Sequence, residues 1–136
     1  MSAVRRQFEL PDLDREFLER RRRSWETISE GSGQWVILQE YPVPGGYNRV
    51  VVSAALQLPA SYPDTQIDMV YFHPHLALTS GREVGGLSTA SLDGKAWQRW
   101  SRHRTGANRW RRGYDSIETH LLLVDEWLDR ECRRAA

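Results

Sequence analysis

The sequence predicts an α+β domain in which a meander of at least three antiparallel strands packs against an N-terminal and a C-terminal helix. Two observations carry that class. Apolar residues recur at helical spacing near both ends of the chain, and between them lies a run in which apolar and polar side chains alternate with period two. Helix, consecutive strands, irregular stretch, helix is an α+β order. A chain of 136 residues has room for one hydrophobic core, so residues 1–136 read as a single domain without internal repeat or linker.

Leu10, Leu13, Phe17 and Leu18 share a helical stripe, with Pro11 suited to a first turn and Asp12 and Asp14 where the helix dipole favours negative charge. That helix runs into Arg20, Arg21, Arg22 and Arg23, which suit a helix C-terminus. Glu30-Gly31-Ser32-Gly33 then breaks the chain, and the β-branched and aromatic run from Trp35 to Tyr41 reads as a strand. Pro42 to Tyr47, containing Pro44-Gly45-Gly46, makes a turn. Across it Val50, Val52, Ala54, Leu56 and Leu58 alternate with Val51, Ser53, Ala55 and Gln57, giving a second strand antiparallel to the first. After the Pro59 to Pro63 loop, Ile67 to Phe72 supplies a third. Ala77 to Gly94 is rich in Gly, Ser and Thr without a sustained period, and reads as a long loop or flap of the kind that often serves function. Ile117, Leu121, Val124 and Leu128, supported by Leu122 and Trp127 and preceded by Asp115 and Ser116 as candidate caps, predict a closing amphipathic helix.

Composition narrows the function classes. Nineteen basic residues against eighteen acidic ones give a formal charge of +1, so the chain as a whole is no polyanion binder. The charges are unevenly spread, however. Lys95, Arg99, Arg102, Arg104, Arg109, Arg111 and Arg112 lie between Gly94 and Tyr114 with no acidic residue among them, interleaved with three of the six tryptophans. Arg99, Arg102, Arg104, Arg109 and Arg111 are therefore candidate partner-binding residues. Such a stretch docks an acidic protein surface, or tracks phosphates and stacks bases of a nucleic acid. The single cysteine, Cys132, cannot form an internal disulfide and is expected as a surface thiol on the polar side of the last helical turn. No N-terminal run is apolar enough for a signal peptide or long enough to span a bilayer, and the expected compartment is the cytoplasm. His73 and His75 are spaced too tightly to share a metal and have no Cys or acidic cluster beside them, so neither metal nor cofactor is expected.

Leu58 to Pro74 contains Tyr62-Pro63, the aromatic Phe72 and the turn His73-Pro74 in that order, between the two helical segments. These resemble the central strand and turn of ubiquitin-conjugating enzymes. Trp97-Gln98-Arg99-Trp100-Ser101-Arg102-His103 is similar to a segment of the divergent bacterial, or prokaryotic E2-like, branch of that group, and the likeness extends from Leu10 to Leu128. The resemblance implies a ubiquitin-conjugating (UBC)-like fold and an acyl-transfer activity toward a ubiquitin-like modifier. It also implies partners: the modifier, an adenylating activating-type enzyme and a deconjugating metalloprotease. Trp110 matches the family's Trp ahead of a helix, and counting back about eight or nine residues to the family's cysteine reaches Ser101 or Arg102. With the lone cysteine far away, the resemblance implies either that Ser101 accepts the acyl group as an oxyester or that the domain is a catalytically inactive scaffold. His75 stands where the family has an Asn thought to support the oxyanion. A second alignment sets Ala90-Ser91-Leu92-Asp93 on the family's Cys-Leu-Asp and makes Ser91 the acceptor.

A serine hydroxyl is far less acidic than a thiol and needs a neighbouring base before it can take an acyl group. Ser101 and His103 are two residues apart, so an extended chain sets them on one face, with His103 as the base and His75 as the fallback. Arg102 and Arg104 would stabilise the developing oxyanion if they point at the same site.

Overall fold

In the computed structural model, which describes residues 4–135, helix α1 (Asp12–Arg20) is followed by strands β1 (Trp25–Glu30), β2 (Gly33–Pro42), β3 (Val51–Leu58), β4 (Val70–His73), β5 (Leu87–Leu92) and β6 (Lys95–Trp100), and helix α2 (Ile117–Ala135) closes the chain. The strands form one antiparallel sheet in the order β1-β2-β3-β4-β6-β5. The α+β class, the antiparallel meander and both flanking helices agree with the sequence prediction. No described helix is long and apolar enough to cross a membrane.

Alternation builds two cores on the two faces of the sheet. Val52, Ala54, Leu56 and Leu58 of β3 join Val36, Leu38, Phe72 and Trp100, and the stripe Ile117, Leu121, Val124 and Leu128 of α2 covers them. On the opposite face Ile28, Ile37, Ala55, Tyr71, Leu92 and Trp97 form a smaller cluster. The apolar face of β3 ends at Val52, because Val50 lies outside the strand and is exposed. Leu122 likewise faces solvent. Leu121 is buried to 4% exposure, so Leu121→Ala should cost about 2–5 kcal/mol in urea unfolding. A loss below about 0.5 kcal/mol would mean that α2 does not seal this core.

Three strands, β1, β5 and β6, extend the predicted plan of at least three. Trp25–Glu30, which follows the arginine run, is edge strand β1, with Trp25, Thr27 and Ile28 buried. Its polar Thr27 is satisfied because its hydroxyl donates to the Phe8 carbonyl at 2.8 Å. The Ala77–Gly94 stretch is not all loop either: Leu87–Leu92 is β5, joined to β6 by Asp93-Gly94, both at positive φ. An Asp-Gly pair with that backbone is the turn that a tight two-residue hairpin needs.

The sheet is strongly rolled. Five strand spacings of about 4.8 Å would hold β1 and β5 about 24 Å apart if it were flat. Yet the Arg5 guanidinium reaches both Glu26 on β1, at 2.9 Å, and Asp93 at the β5–β6 turn, at 2.7 Å. Glu30 also accepts from the Asp93 N–H at 3.0 Å. Rolling brings Leu92 and Trp97 over Ile28 and Ile37 and so creates the second core.

The start of α2 is capped from afar as well as locally. The Ser116 N–H donates to Thr119 Oγ1 at 2.8 Å, while the Ile117 N–H is shared by Asp14 Oδ1 at 3.1 Å and the Tyr62 hydroxyl at 3.0 Å. Burial pushes the Asp14 carboxyl up, against the pull of the hydroxyl and the N–H that it accepts. Asp115, expected as a cap, instead accepts from the Arg111 N–H at 2.5 Å. Cys132 is not on a free polar face: it is half-buried, its thiol 3.3 Å from the Gly45 carbonyl, where it packs under the β2–β3 turn.

Candidate functional site

Ser101 is the first residue beyond β6. Trp100 pairs with Val70 on one side and Leu87 on the other, so Ser101 sits where β4, β5 and β6 end together. Its N–H donates to the Gly86 carbonyl at 2.9 Å, which holds the backbone while leaving the residue half-buried.

From Ser101 onward the chain keeps the two-sided habit of a strand. Arg102 and Arg104 turn toward α2. Arg102 donates to the Gly85 and Ser101 carbonyls at 3.0 and 3.1 Å and lies 3.4 Å from Glu131. Arg104 donates to the Ile67 carbonyl at 3.3 Å, to the Asn108 carbonyl at 3.1 Å and to His120 Nδ1 at 2.9 Å, and it stacks over Trp110. Burial lowers its pKa from the usual guanidinium value. His103 instead meets Asp68, with 3.3 Å between Nδ1 and Oδ2. His103 is largely exposed, whereas Asp68 is about one-third exposed and its Oδ1 is buried without a hydrogen-bond partner among the described residues.

The predicted residues therefore divide. Ser101 and His103 lie two residues apart at one end of the sheet, although no hydrogen bond joins them among the described residues. Their expected cationic escorts do not frame them: Arg102 and Arg104 hold α2 and the loop before it. His75 is exposed beyond the other end of β4, and Ser101 is level with Met69, so roughly 15 Å or more of strand separates the two. His75 cannot stand in for His103 in this arrangement. The Asn48 side-chain amide donates to the His75 carbonyl at 3.4 Å. Ser91 is exposed on β5, opposite Ala96, whose carbonyl accepts from His73 Nδ1 at 2.9 Å.

Of the other arginines, Arg99 is half-buried on β6 between Tyr71 and Ser88. Arg111 stacks on Tyr114 at 3.9 Å and lies 3.7 Å from Asp115, and Arg112 lies 3.5 Å from Asp64. Arg109 is exposed. Arg102 and Arg112 thus pair with acids supplied by other segments, and Arg111 with one just downstream, which a count within the stretch could not register.

Two residues that sequence reasoning missed complete the neighbourhood. Asp68, a short polar residue ahead of β4, is brought to His103 by the β4–β6 register. His120 is fully buried in α2, its Nε2–H donating to the Met69 carbonyl at 2.9 Å while Nδ1 accepts from Arg104. The bond accepted from Arg104 requires the neutral ring, and burial pulls its pKa down to about 4. The signal for His120 was its place on the apolar stripe, three residues after Ile117 and four before Val124. The Met69 backbone beside Ser101 is thereby braced from within, and Trp110, whose indole N–H donates to the Pro63 carbonyl at 2.9 Å, ties the following loop to Tyr62-Pro63.

Compared with known proteins, the chain is matched over residues 10–131 by the family model described as prokaryotic E2 family E. No curated protein and no solved structure matches it.

Proposed function

We propose, because this chain belongs to the prokaryotic E2 family E, that within a conjugation pathway it carries a ubiquitin-like modifier as an oxyester on Ser101. His103 serves as general base and Asp68 orients its ring. The Ser101 hydroxyl attacks the activated C-terminal carbonyl of the modifier, His103 takes the hydroxyl proton, and the bond from that carbonyl to the activating enzyme breaks. An amine or hydroxyl of a target then displaces Ser101, which recovers its proton. The observation that carries this reading is the Asp68–His103 contact, 3.3 Å long and two residues from a serine in the cysteine slot. A base held by a third group is the usual arrangement for activating a weak nucleophile. The partners that follow are the modifier, an adenylating activating enzyme and a deconjugating metalloprotease.

The test is chemical. Incubated with activating enzyme, modifier and nucleotide, the chain should gain an adduct that survives thiol reductant but yields to mild alkali or hydroxylamine. A thioester would fail the first treatment, and an amide would resist both.

A second reading, a non-catalytic scaffold of the same fold, is favoured by the missing Ser101–His103 hydrogen bond and by the commitment of Arg102 and Arg104 to α2. It predicts partner binding without any adduct. Under either reading Arg109 and Arg111 steer an acidic partner. Arg109→Glu with Arg111→Glu should slow association, more so at low salt, with little change in dissociation. Surface-plasmon kinetics across an ionic-strength series reads this out, and equal on-rates would remove the basic stretch from the interface. Single-stranded nucleic acid is the competing occupant, and binding that weakens steeply with salt would identify it.

A further inference from the structure

On the helix side of the sheet, three arginines converge on one buried carboxylate, Glu131 of α2. Arg82 approaches to 2.6 Å, Arg102 to 3.4 Å and Arg134 to 3.8 Å. Together with Gly85, Trp127 and Arg130 they line a pocket of about 280 Å³. Arg130 is paired with Glu126 at 2.9 Å, so the carboxylate of Glu131 leaves two of the three remaining positive charges uncompensated. Like charges gathered beside a partly buried wall raise the local potential and attract a counter-ion.

Besides their pairing with Glu131, Arg82 and Arg102 are held by contacts to neutral groups. Arg102 donates to the Gly85 and Ser101 carbonyls and lies 5.0 Å over Trp100. Gly86, at φ +72°, gives it room, since a Cβ there would come within 2.8 Å of Arg102 Nη1. Arg82 donates to the Glu83 and Glu131 carbonyls at 3.2 and 3.1 Å. Its Nε is buried and has no hydrogen-bond partner among the described residues. Pre-positioned forks approaching from three directions suit a tetrahedral group with several acceptor oxygens.

We propose that the pocket bounded by Arg82, Arg102 and Arg134 binds a phosphate-type oxyanion. The site is independent of the role assigned to Ser101, because Arg102 turns away from the His103 side.

Thermal unfolding of the full chain tests it, with titrations of inorganic phosphate and of adenosine monophosphate against sodium chloride at matched ionic strength. Phosphate should raise Tm saturably, and chloride should not. Arg82→Gln combined with Arg134→Gln should weaken the apparent phosphate affinity by at least about tenfold. Arg82→Lys, which keeps the charge and loses the fork, should fall between the two. Tighter, arginine-dependent binding of the nucleotide identifies a phosphomonoester as the source, and binding of phosphate alone identifies the free ion. An equal rise with chloride, or an undiminished phosphate response in the double variant, overturns the proposal and leaves an internal ionic network only. Should the double variant not fold, Arg134→Gln alone, at an exposed position in the last turn of α2, is judged by the same criterion.

Discussion

His103→Ala is expected to slow formation of the ester adduct by about 10²–10⁴-fold, the usual contribution of a positioned general base. Ser101→Ala should abolish the adduct altogether. The two substitutions separate nucleophile from base because Ser101 is half-buried just beyond β6, outside both core clusters, and His103 is largely exposed, so neither change disturbs a core. Asp68→Asn should give an intermediate loss, since an amide still contacts the ring but does not stabilise an imidazolium. Ser101→Cys should charge in a reductant-sensitive form and depend less on His103, because a thiol is partly ionised near neutral pH. Single-turnover charging followed on non-reducing gels measures all four. If the adduct persists in Ser101→Ala and disappears in Ser91→Ala, the nucleophile lies on β5. If no variant alters anything because no adduct ever forms, the scaffold reading stands.

Acid should destabilise the fold through His120. Its ring is neutral and buried, with a pKa near 4 against an ordinary 6.5. Between those values the unfolded chain binds a proton that the folded chain refuses, so stability is intact above about pH 6.5 and is lost as pH falls toward 4. The difference of pKa corresponds to about 3 kcal/mol at 1.36 kcal/mol per unit. That is a large part of the roughly 5–15 kcal/mol that holds a typical domain together. Urea unfolding between pH 7 and pH 4 should show this loss in the parent and not in His120→Gln, which cannot titrate. The variant is the needed control because Asp14 and Asp125, both raised by burial, act in the opposite sense. Parallel curves for the two proteins would mean that the ring is protonated inside the fold.

The parts of the structure legible in the sequence were those with a strong period. Val52, Ala54, Leu56 and Leu58 mark the face of β3, and Ile117, Leu121, Val124 and Leu128 mark that of α2. Strand β1 escaped notice because Glu26, Thr27 and Ser29 interrupt its apolar residues, and because Thr27 is satisfied by a segment nineteen residues earlier. Strand β5, Leu87-Ser88-Thr89-Ala90-Ser91-Leu92, is polar because it lies at an edge, and the turn pair Asp93-Gly94 was the signal available. At the site, the nearness of Ser101 to His103 is simply their spacing along the chain. The partner of His103 was not legible there, since Asp68 arrives from thirty-five residues away through strand register. The fate of Arg102 and Arg104 was equally hidden, because it depends on where α2 packs.

The Arg5 clasp also bears on self-association. One rim of the sheet is sealed by the segment from Arg5 to Gln7: the Gln7 N–H donates to the Thr27 carbonyl, the Thr27 N–H to the Arg5 carbonyl, and the Arg5 side chain pins the seal to Asp93. The other rim, β5, carries no charge and no proline, the devices that usually discourage strand-to-strand stacking between molecules. Deleting residues 1–8 would open the sealed rim, giving each molecule two adhesive borders rather than one. A molecule with one such border can only pair, whereas a molecule with two can extend a chain. Sedimentation velocity would separate these cases as a dimer at most against a concentration-dependent ladder, so Arg5 to Gln7 act as a cap on polymerisation as much as a part of the fold.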